Sequence, residues 1–245
     1  MADRAWAYCL AFNEAPLIAY WVRAHLAFCE RVIVYVDTET DDGTADIARA
    51  EGAEVRTYFG SGYLDDLAFV AFAQEHYREA RGEADWVVWT DADEIVYHPR
   101  LPERLAELHA AGVTYPTIKG YSMMADTLPS GPGQIYDQVR RGFEAPAYAK
   151  VCIFDPMLEV AWAAGKHTAE VSGHVQRDDG SDSLRLLHYR WLGEQYFKAR
   201  NERNYARLDS VNRTREHGKE TYPGAIGEYS AAWYVGRIEL ARECV

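Results

Sequence analysis

Apolar runs that end in acidic residues recur along this chain, with helical spacing between them. Ala5–Ala11, Arg31–Val36 and the first half of Trp86–Tyr97 are rich in β-branched and aromatic residues, the composition of strands buried on both faces. Glu54–Tyr58 reads as a further strand. After the first strand, Leu17, Ile18, Trp21, Val22, Leu26 and Phe28 keep helical spacing, with Asn13 expected as the cap and Pro16 in the first turn. Helices are also expected over Thr44–Glu51, with Gly52 closing it, and over Leu67–Ala80, stopping near Gly82. Four rounds of strand and helix imply parallel strands joined by right-handed crossovers. Ligands of such sheets bind beyond the carboxyl ends of the strands. That places Asn13, Glu14, Asp37, the 60–66 loop and Asp91-Ala92-Asp93 along one edge.

Asp91 and Asp93 follow the Trp86 strand directly. In an extended chain residues i and i+2 point to the same side, so both carboxylates are expected to face one point, with Glu94 facing away. Such a pair suits a hard divalent cation that keeps positions open for water or phosphate oxygens. The plainer alternative is a solvated acidic turn.

Beyond residue 98 the pattern changes. Pro102–Ala111 reads as a short helix, and Thr117–Met123, Tyr148–Phe154 and Leu184–His188 read as strands. A long Gly/Pro-rich connection covers 126–146, a length that is usually functional or mobile. A charged helix is expected over Gly193–Leu208 and an amphipathic one over Tyr229–Arg242. The expectation is one α/β domain over 1–245: a nucleotide-binding half to residue 97, an acceptor-side half over 98–191, and C-terminal helices over 192–245.

Composition narrows the function classes. With 245 residues, 48% hydrophobic, the chain can bury a full core. Its net charge of −12 argues against a general nucleic-acid surface, so an anionic ligand needs local positive charge or a metal. Cys9, Cys29, Cys152 and Cys244 are scattered without a CxxC pair, which points to a reducing compartment, the cytoplasm, and away from a zinc ribbon or disulfide scaffold. The first residues lead almost at once into a strand, so no signal peptide is expected. No apolar run is long enough to span a membrane.

His188, at the end of an apolar run, and His167 are the candidates for a further metal ligand, since a neutral imidazole suits manganese-like ions. A hydrogen-bonded structural histidine is the alternative for either. Lys150, Lys166 and the Arg200, Arg203, Arg207 face could hold phosphates, although a charged helix face is more often simply solvated. Asp37-Thr-Glu-Thr-Asp-Asp-Gly fails as a calcium loop: its glycine is one place late and Ala48 stands at the twelfth position. GxGxxG, GxxxxGK[ST], GxSxG and HExxH motifs are all missing.

Taken in order, these landmarks resemble family 2-like glycosyltransferases, in the branch related to family 92. Phe12-Asn13-Glu14 before a helix carrying Tyr20-Trp21 is similar to their opening. Asp37–Thr44 resembles their D-x-S-x-D-G-T segment, with Thr-Glu-Thr in place of the usual start. Trp89-Thr-Asp-Ala-Asp-Glu resembles their DXD motif in its D-x-D-E form. Lys150 with Pro156, His167 and His188-Tyr189-Arg190 match later landmarks, so the resemblance spans roughly residues 8–200.

The resemblance implies a glycosyltransferase-A fold with a Rossmann-like, mostly parallel sheet and a nucleoside diphosphate sugar donor, UDP-linked by preference. Asp37 would contact the nucleobase or ribose, and Asp91 the ribose or the metal through water. Asp93 and His188 would ligate Mn²⁺ or Mg²⁺ at the diphosphate. Without the cation, phosphates would face the acidic cluster at about 4 kcal/mol per pair for charges ~4 Å apart in an effective dielectric near 20. An inverting transfer needs a carboxylate to take the acceptor proton. Asp126, Glu144 and Asp137 lie in or beside the long loop, and Asp126 is preferred because it directly follows an expected strand. The acceptor would be a carbohydrate or another small molecule, and a homodimer is one assembly open to the chain. Two alternatives stay open: a nucleotidyltransferase, revealed by pyrophosphate release, and a non-catalytic sugar- or metal-binding module, revealed by binding without turnover.

Overall fold

The computed structural model describes residues 4–208, 212–213 and 230–245. Its first sheet has the order β3-β2-β1-β4-β8. The strands are β1 (Ala5–Ala11), β2 (Arg31–Asp37), β3 (Glu54–Tyr58), β4 (Trp86–Trp89) and β8 (Ile153–Phe154). β1 pairs in parallel with β2 and β4, and β2 in parallel with β3, while β8 runs antiparallel to β4. The α/β expectation with a mostly parallel sheet therefore stands.

Strand alternation explains why the runs are apolar throughout. Ala7, Cys9, Val34 and Val88 face one side and pack against Leu17, Ile18, Trp21 and Val22 of α1 (Ile18–Leu26). Tyr8, Ile33, Tyr35, Val87 and Trp89 face the other and pack against Val70 and Ala73 of α3 (Asp66–His76) and against Tyr77. With both faces covered, neither set of positions can be polar. α2 (Thr44–Ala50) links β2 to β3, and a 3₁₀ turn over Tyr77–Ala80 takes the last turn of the helix expected there.

The second sheet has the order β12-β7-β6-β11-β5. It comprises β5 (Glu94–Tyr97), β6 (Ile118–Ala125), β7 (Arg141–Glu144), β11 (Leu184–Leu192) and β12 (Arg242–Glu243). β6 and β11 are parallel, and β5 is antiparallel to β11 with His188 opposite Glu94. The chain passes from the first sheet to the second through the turn at 91–93. The remaining elements are α4 (Leu101–Ala110), α5 (Ile135–Gln138), the β9–β10 hairpin (Glu159–Trp162 and Ala169–Ser172), α6 (Glu194–Arg207) and α7 (Ala231–Val235). No helix among the described residues is long and apolar enough to cross a membrane.

Four local expectations change. Asn13 does not cap α1: its backbone is left-handed (φ 50°) and its side chain pairs with Asp41 across the loops, while α1 begins five residues later. Only Ile153–Phe154 of the Tyr148–Phe154 run is strand, because Lys150 turns its ammonium inward to buried carboxylates and the preceding residues form a 3₁₀ turn. The long connection is not structureless, since it contains α5 and β7. The last helix stops at Gly236, a 3₁₀ turn over Ile238–Leu240 and then β12 follow where a longer helix was expected, and Tyr229 lies outside the described residues.

Candidate functional site

A cavity of about 1040 Å³ opens where the first sheet's strand ends meet the second sheet. Phe12 and Glu14 reach it from beyond β1, Asp91–Glu94 from beyond β4, Ser122 from β6, and His188 and Arg190 from β11. Lys150 and Lys166 enter from the 3₁₀ turn and the β9–β10 hairpin, and Arg200 and Arg207 from α6.

Residues 91–93 form a turn rather than an extended pair. Glu94 therefore does not face away: its Oε2 accepts the Asp91 N–H at 3.1 Å, and its Oε1 meets Lys150 Nζ at 2.6 Å. Lys150, 3% exposed, also reaches Asp91 Oδ2 at 3.3 Å, while Lys166 pairs with Asp91 Oδ1. Burial pushes the Asp91 carboxyl up, but the two ammonium groups outweigh it and hold its pKa below the usual carboxylate range. Burial likewise opposes the Lys150 charge, and Asp91 and Glu94 more than restore it.

Asp93 is deeper. Its Oδ2 accepts from His188 Nε2 at 2.9 Å and from Arg200 Nη1. Burial raises its pKa, and Arg200 followed by His188 drives it well below the ordinary value. Arg200 Nη2 also reaches Glu14 Oε1 at 3.2 Å, and Arg203 stands 3.6 Å from the same oxygen. Glu14 nevertheless has a raised pKa, chiefly from burial, and its Oε2 is buried with no hydrogen-bond partner. The α6 arginines are thus not a solvated face. Arg207 is buried, stacks its guanidinium carbon 3.3 Å from the Phe12 ring centroid, and donates to Asp37 Oδ2 at 3.0 Å.

The structure brings Glu14, Asp91, Asp93, Lys150, Lys166 and His188 together at this cavity. Asp37 is engaged beneath it, its Oδ1 accepting the Glu39 N–H and its Oδ2 holding Arg207. His167 lines the rim, with Nδ1 against the Ala147 carbonyl and not on the carboxylates. Glu144 lines the wall opposite Tyr121 of β6. Asp126 opens onto a separate cavity with Arg140, Arg141 and Glu243, because β6 carries the chain past the site before it ends. Asn13 is held by Asp41 and does not line the main cavity.

The donor pair a divalent cation could take is Asp93 and His188, with Asp93 Oδ2 now holding both His188 Nε2 and Arg200. Asp93 Oδ2 and His188 Nε2 stand 2.9 Å apart. Neighbouring ligands on an octahedral ion with ~2.1 Å bonds lie about 3 Å apart. The buried Nδ1 of His188 has no partner. Asp91 does not fit as a direct ligand, since both of its oxygens hold ammonium groups. Among the described residues no group of three His, Cys, Asp or Glu converges as a metal cage. Water and ligand oxygens would fill the remaining positions, as Mg²⁺ prefers.

Sequence reasoning missed the aromatic wall of Phe143, Tyr148, Trp233 and Tyr234. Tyr148 meets the His188 ring edge-on at 4.2 Å between centroids, and it sits there because Gly120 lets the 145–149 turn lie on β6. A Cβ at Gly120 would come within 2.4 Å of the Tyr148 carbonyl carbon.

No protein-family model matches the chain, and no curated protein matches it. Among solved structures it is similar to glucosyl-3-phosphoglycerate synthase from Mycobacterium tuberculosis in complex with Mn²⁺, uridine diphosphate and phosphoglyceric acid, at 20% identity over 48% of this chain and 43% of that one, TM-score 0.34. It is also similar to mannosyl-3-phosphoglycerate synthase from Rubrobacter xylanophilus, at 17% identity over 56% and 45%, TM-score 0.35. A third is CMP:2-keto-3-deoxy-manno-octonic acid synthetase complexed with CTP, at 17% identity over 49% and 53%, TM-score 0.32. The chain matches about half or less of the length of each of these structures.

Proposed function

We propose that the protein is a glycosyltransferase of the glycosyltransferase-A type that moves a sugar from a nucleoside diphosphate sugar to a hydroxyl of a small-molecule or carbohydrate acceptor. The observation that carries this is the alternation of charge at the strand-end cavity: Asp91, Asp93 and Glu94 interleaved with Lys150, Lys166 and Arg200. A purely acidic rim would repel a diphosphate, whereas these cations can turn from their carboxylates to phosphate oxygens. The volume stands at the top of the range of about 300–1,000 Å³ for ligand sites, enough for a donor and an acceptor together. In this reading residues 1–97 hold the nucleotide and 98–191 face the acceptor.

Asp93 and His188 would hold Mn²⁺ or Mg²⁺, which when bound would act as a Lewis acid on the diphosphate. The chain's own residues do the rest. Lys150 and Lys166 fix Asp91 at the turn, and Arg200 spans Glu14 and Asp93, so charge developing on the leaving diphosphate meets donors already oriented. The acceptor oxygen forms its bond to the anomeric carbon as the bond to the diphosphate breaks. Glu144, which lines the wall, takes the acceptor proton.

The test is transfer from a panel of radiolabelled UDP-sugars to mixed acceptors, with His188→Gln and Asp93→Asn alongside. Product forms with the wild-type protein and falls by at least about a hundredfold in either variant. Normal transfer by Asp93→Asn would sink the proposal, and pyrophosphate release from a nucleoside triphosphate would replace it with nucleotidyl transfer.

A further inference from the structure

Arg190 is the unspent charge of the cavity. It stands on β11 two residues beyond His188 and lines the aromatic end of the site. Its Nε and Nη2 are buried with no hydrogen-bond partner. Among the described residues no carboxylate lies within ion-pair distance of it, although the protein carries a net charge of −12. Lys150, Lys166, Arg200, Arg203 and Arg207 each have a carboxylate partner. The groups around the Arg190 guanidinium are aromatic: the Phe197 ring centroid lies 5.7 Å from its central carbon, and Tyr148 feels its charge.

Arg190 is half-buried, and two guanidinium nitrogens withdrawn from water without a partner are unfavourable unless something completes them. Its planar fork suits a carboxylate or a phosphate, which it can bind through two parallel hydrogen bonds. Arg237 stands nearby at the exposed rim, its guanidinium 4.2 Å from the Trp233 centroid, where it can draw an anion inward. A donor diphosphate would have Lys150, Lys166 and Arg200 to meet it, each now held by Asp91, Glu94 or Asp93. Glu144 is the one carboxylate on the adjoining wall, and it is exposed.

We propose that Arg190 receives an oxyanion carried by the acceptor, so that the protein glycosylates a small acidic molecule, a carboxylate or phosphate ester bearing a hydroxyl, in preference to a neutral sugar. This deepens the sugar-transfer reading and rests on it. The aromatic wall would cover the acceptor's carbon face while Arg190 fixes its charged end, which turns the hydroxyl toward His188 and Asp93.

Three probes of matched shape test it by NMR titration of the full chain in the presence of UDP and Mn²⁺: glucuronate, glucose 6-phosphate and glucose. The wild-type protein should bind one or both acids at least about tenfold more tightly than glucose. Which acid is preferred separates a carboxylate from a phosphate as the anion. Arg190→Met should abolish the preference, and Arg190→Lys should keep part of it. Affinity for UDP alone should stay within twofold in both variants, and the melting point of Arg190→Met should not fall, since an unpaired charge is being removed. Equal binding of glucose and the acids, or an unchanged preference in Arg190→Met, would overturn the assignment. A tenfold loss of UDP affinity in Arg190→Met would also overturn it, placing Arg190 on the donor. Failure of the wild-type protein to bind UDP at all would instead strike the sugar-transfer reading, because the acid preference is scored separately.

Discussion

Lys150→Met removes a cation that two carboxylates share, and its cost can be worked from the geometry. Glu94 Oε1 is 2.6 Å from Lys150 Nζ and Asp91 Oδ2 is 3.3 Å away. At an effective dielectric near 20 those separations correspond to about 6 and about 5 kcal/mol of attraction. The Asp91 side chain keeps 39% of its surface open to the cavity, so water screens that arm to a fraction of the figure. The Glu94 and Lys150 side chains keep only 2% each, and desolvating both offsets much of their attraction. What the substitution leaves is a buried Glu94 carboxylate without its cation, a defect of about 3–5 kcal/mol. For a chain of this size that lowers the melting point by about 6–20 °C. Differential scanning calorimetry of both proteins at neutral pH measures this. A melting point within about 2 °C of wild type would refute the shared-cation account.

Other consequences concern parts of the molecule further from the reaction. His25 is fully buried, its Nδ1 donating to the Trp21 carbonyl at 2.8 Å, and burial pushes its pKa down to about 4 from an ordinary 6.5. The folded state holds it neutral, so its contribution is intact above about pH 6.5 and is lost as the pH falls toward 4, by up to about 3 kcal/mol. Urea titrations of His25→Leu should show a flatter profile across that window, and an unchanged profile would disprove the assignment. Gly120→Ala should push the 145–149 turn off β6, costing about 1–3 kcal/mol and weakening nucleotide binding through displaced Lys150; chemical denaturation with parallel calorimetric titration checks both. Arg207→Met leaves the buried Asp37 unpaired and should destabilise the fold by about 3–5 kcal/mol, read as a fall in urea midpoint.

The parallel half of the fold was legible in the sequence because burial on both faces leaves a continuous apolar run. Ala5–Ala11 and Glu54–Tyr58 form as read, and Arg31–Asp37 exceeds its expectation by one residue. The edge rule for parallel sheets placed Glu14 and Asp91-Ala92-Asp93 at the cavity for the same reason. What local pattern could not carry was the pairing of charges distant in sequence. Arg200 finds Asp93 across 107 positions and Arg207 finds Asp37 across 170, so the arginine face of α6, with few apolar residues, reads as solvated when it is not. Lys150 inside Tyr-Ala-Lys-Val-Cys-Ile-Phe was the available signal that this run turns instead of extending. Asp126 follows a strand as expected but lies on a second cavity, because β6 runs past the main one before it ends.

Isothermal titration of UDP into the wild-type protein and Asp93→Asn, each with Mn²⁺ and then with EDTA, tests the central claim most directly. The wild-type protein should bind UDP at least about tenfold more tightly with Mn²⁺, and Asp93→Asn should lose that difference. Equal affinity in Mn²⁺ and EDTA for the wild-type protein, or an undiminished Mn²⁺ effect in Asp93→Asn, would contradict it.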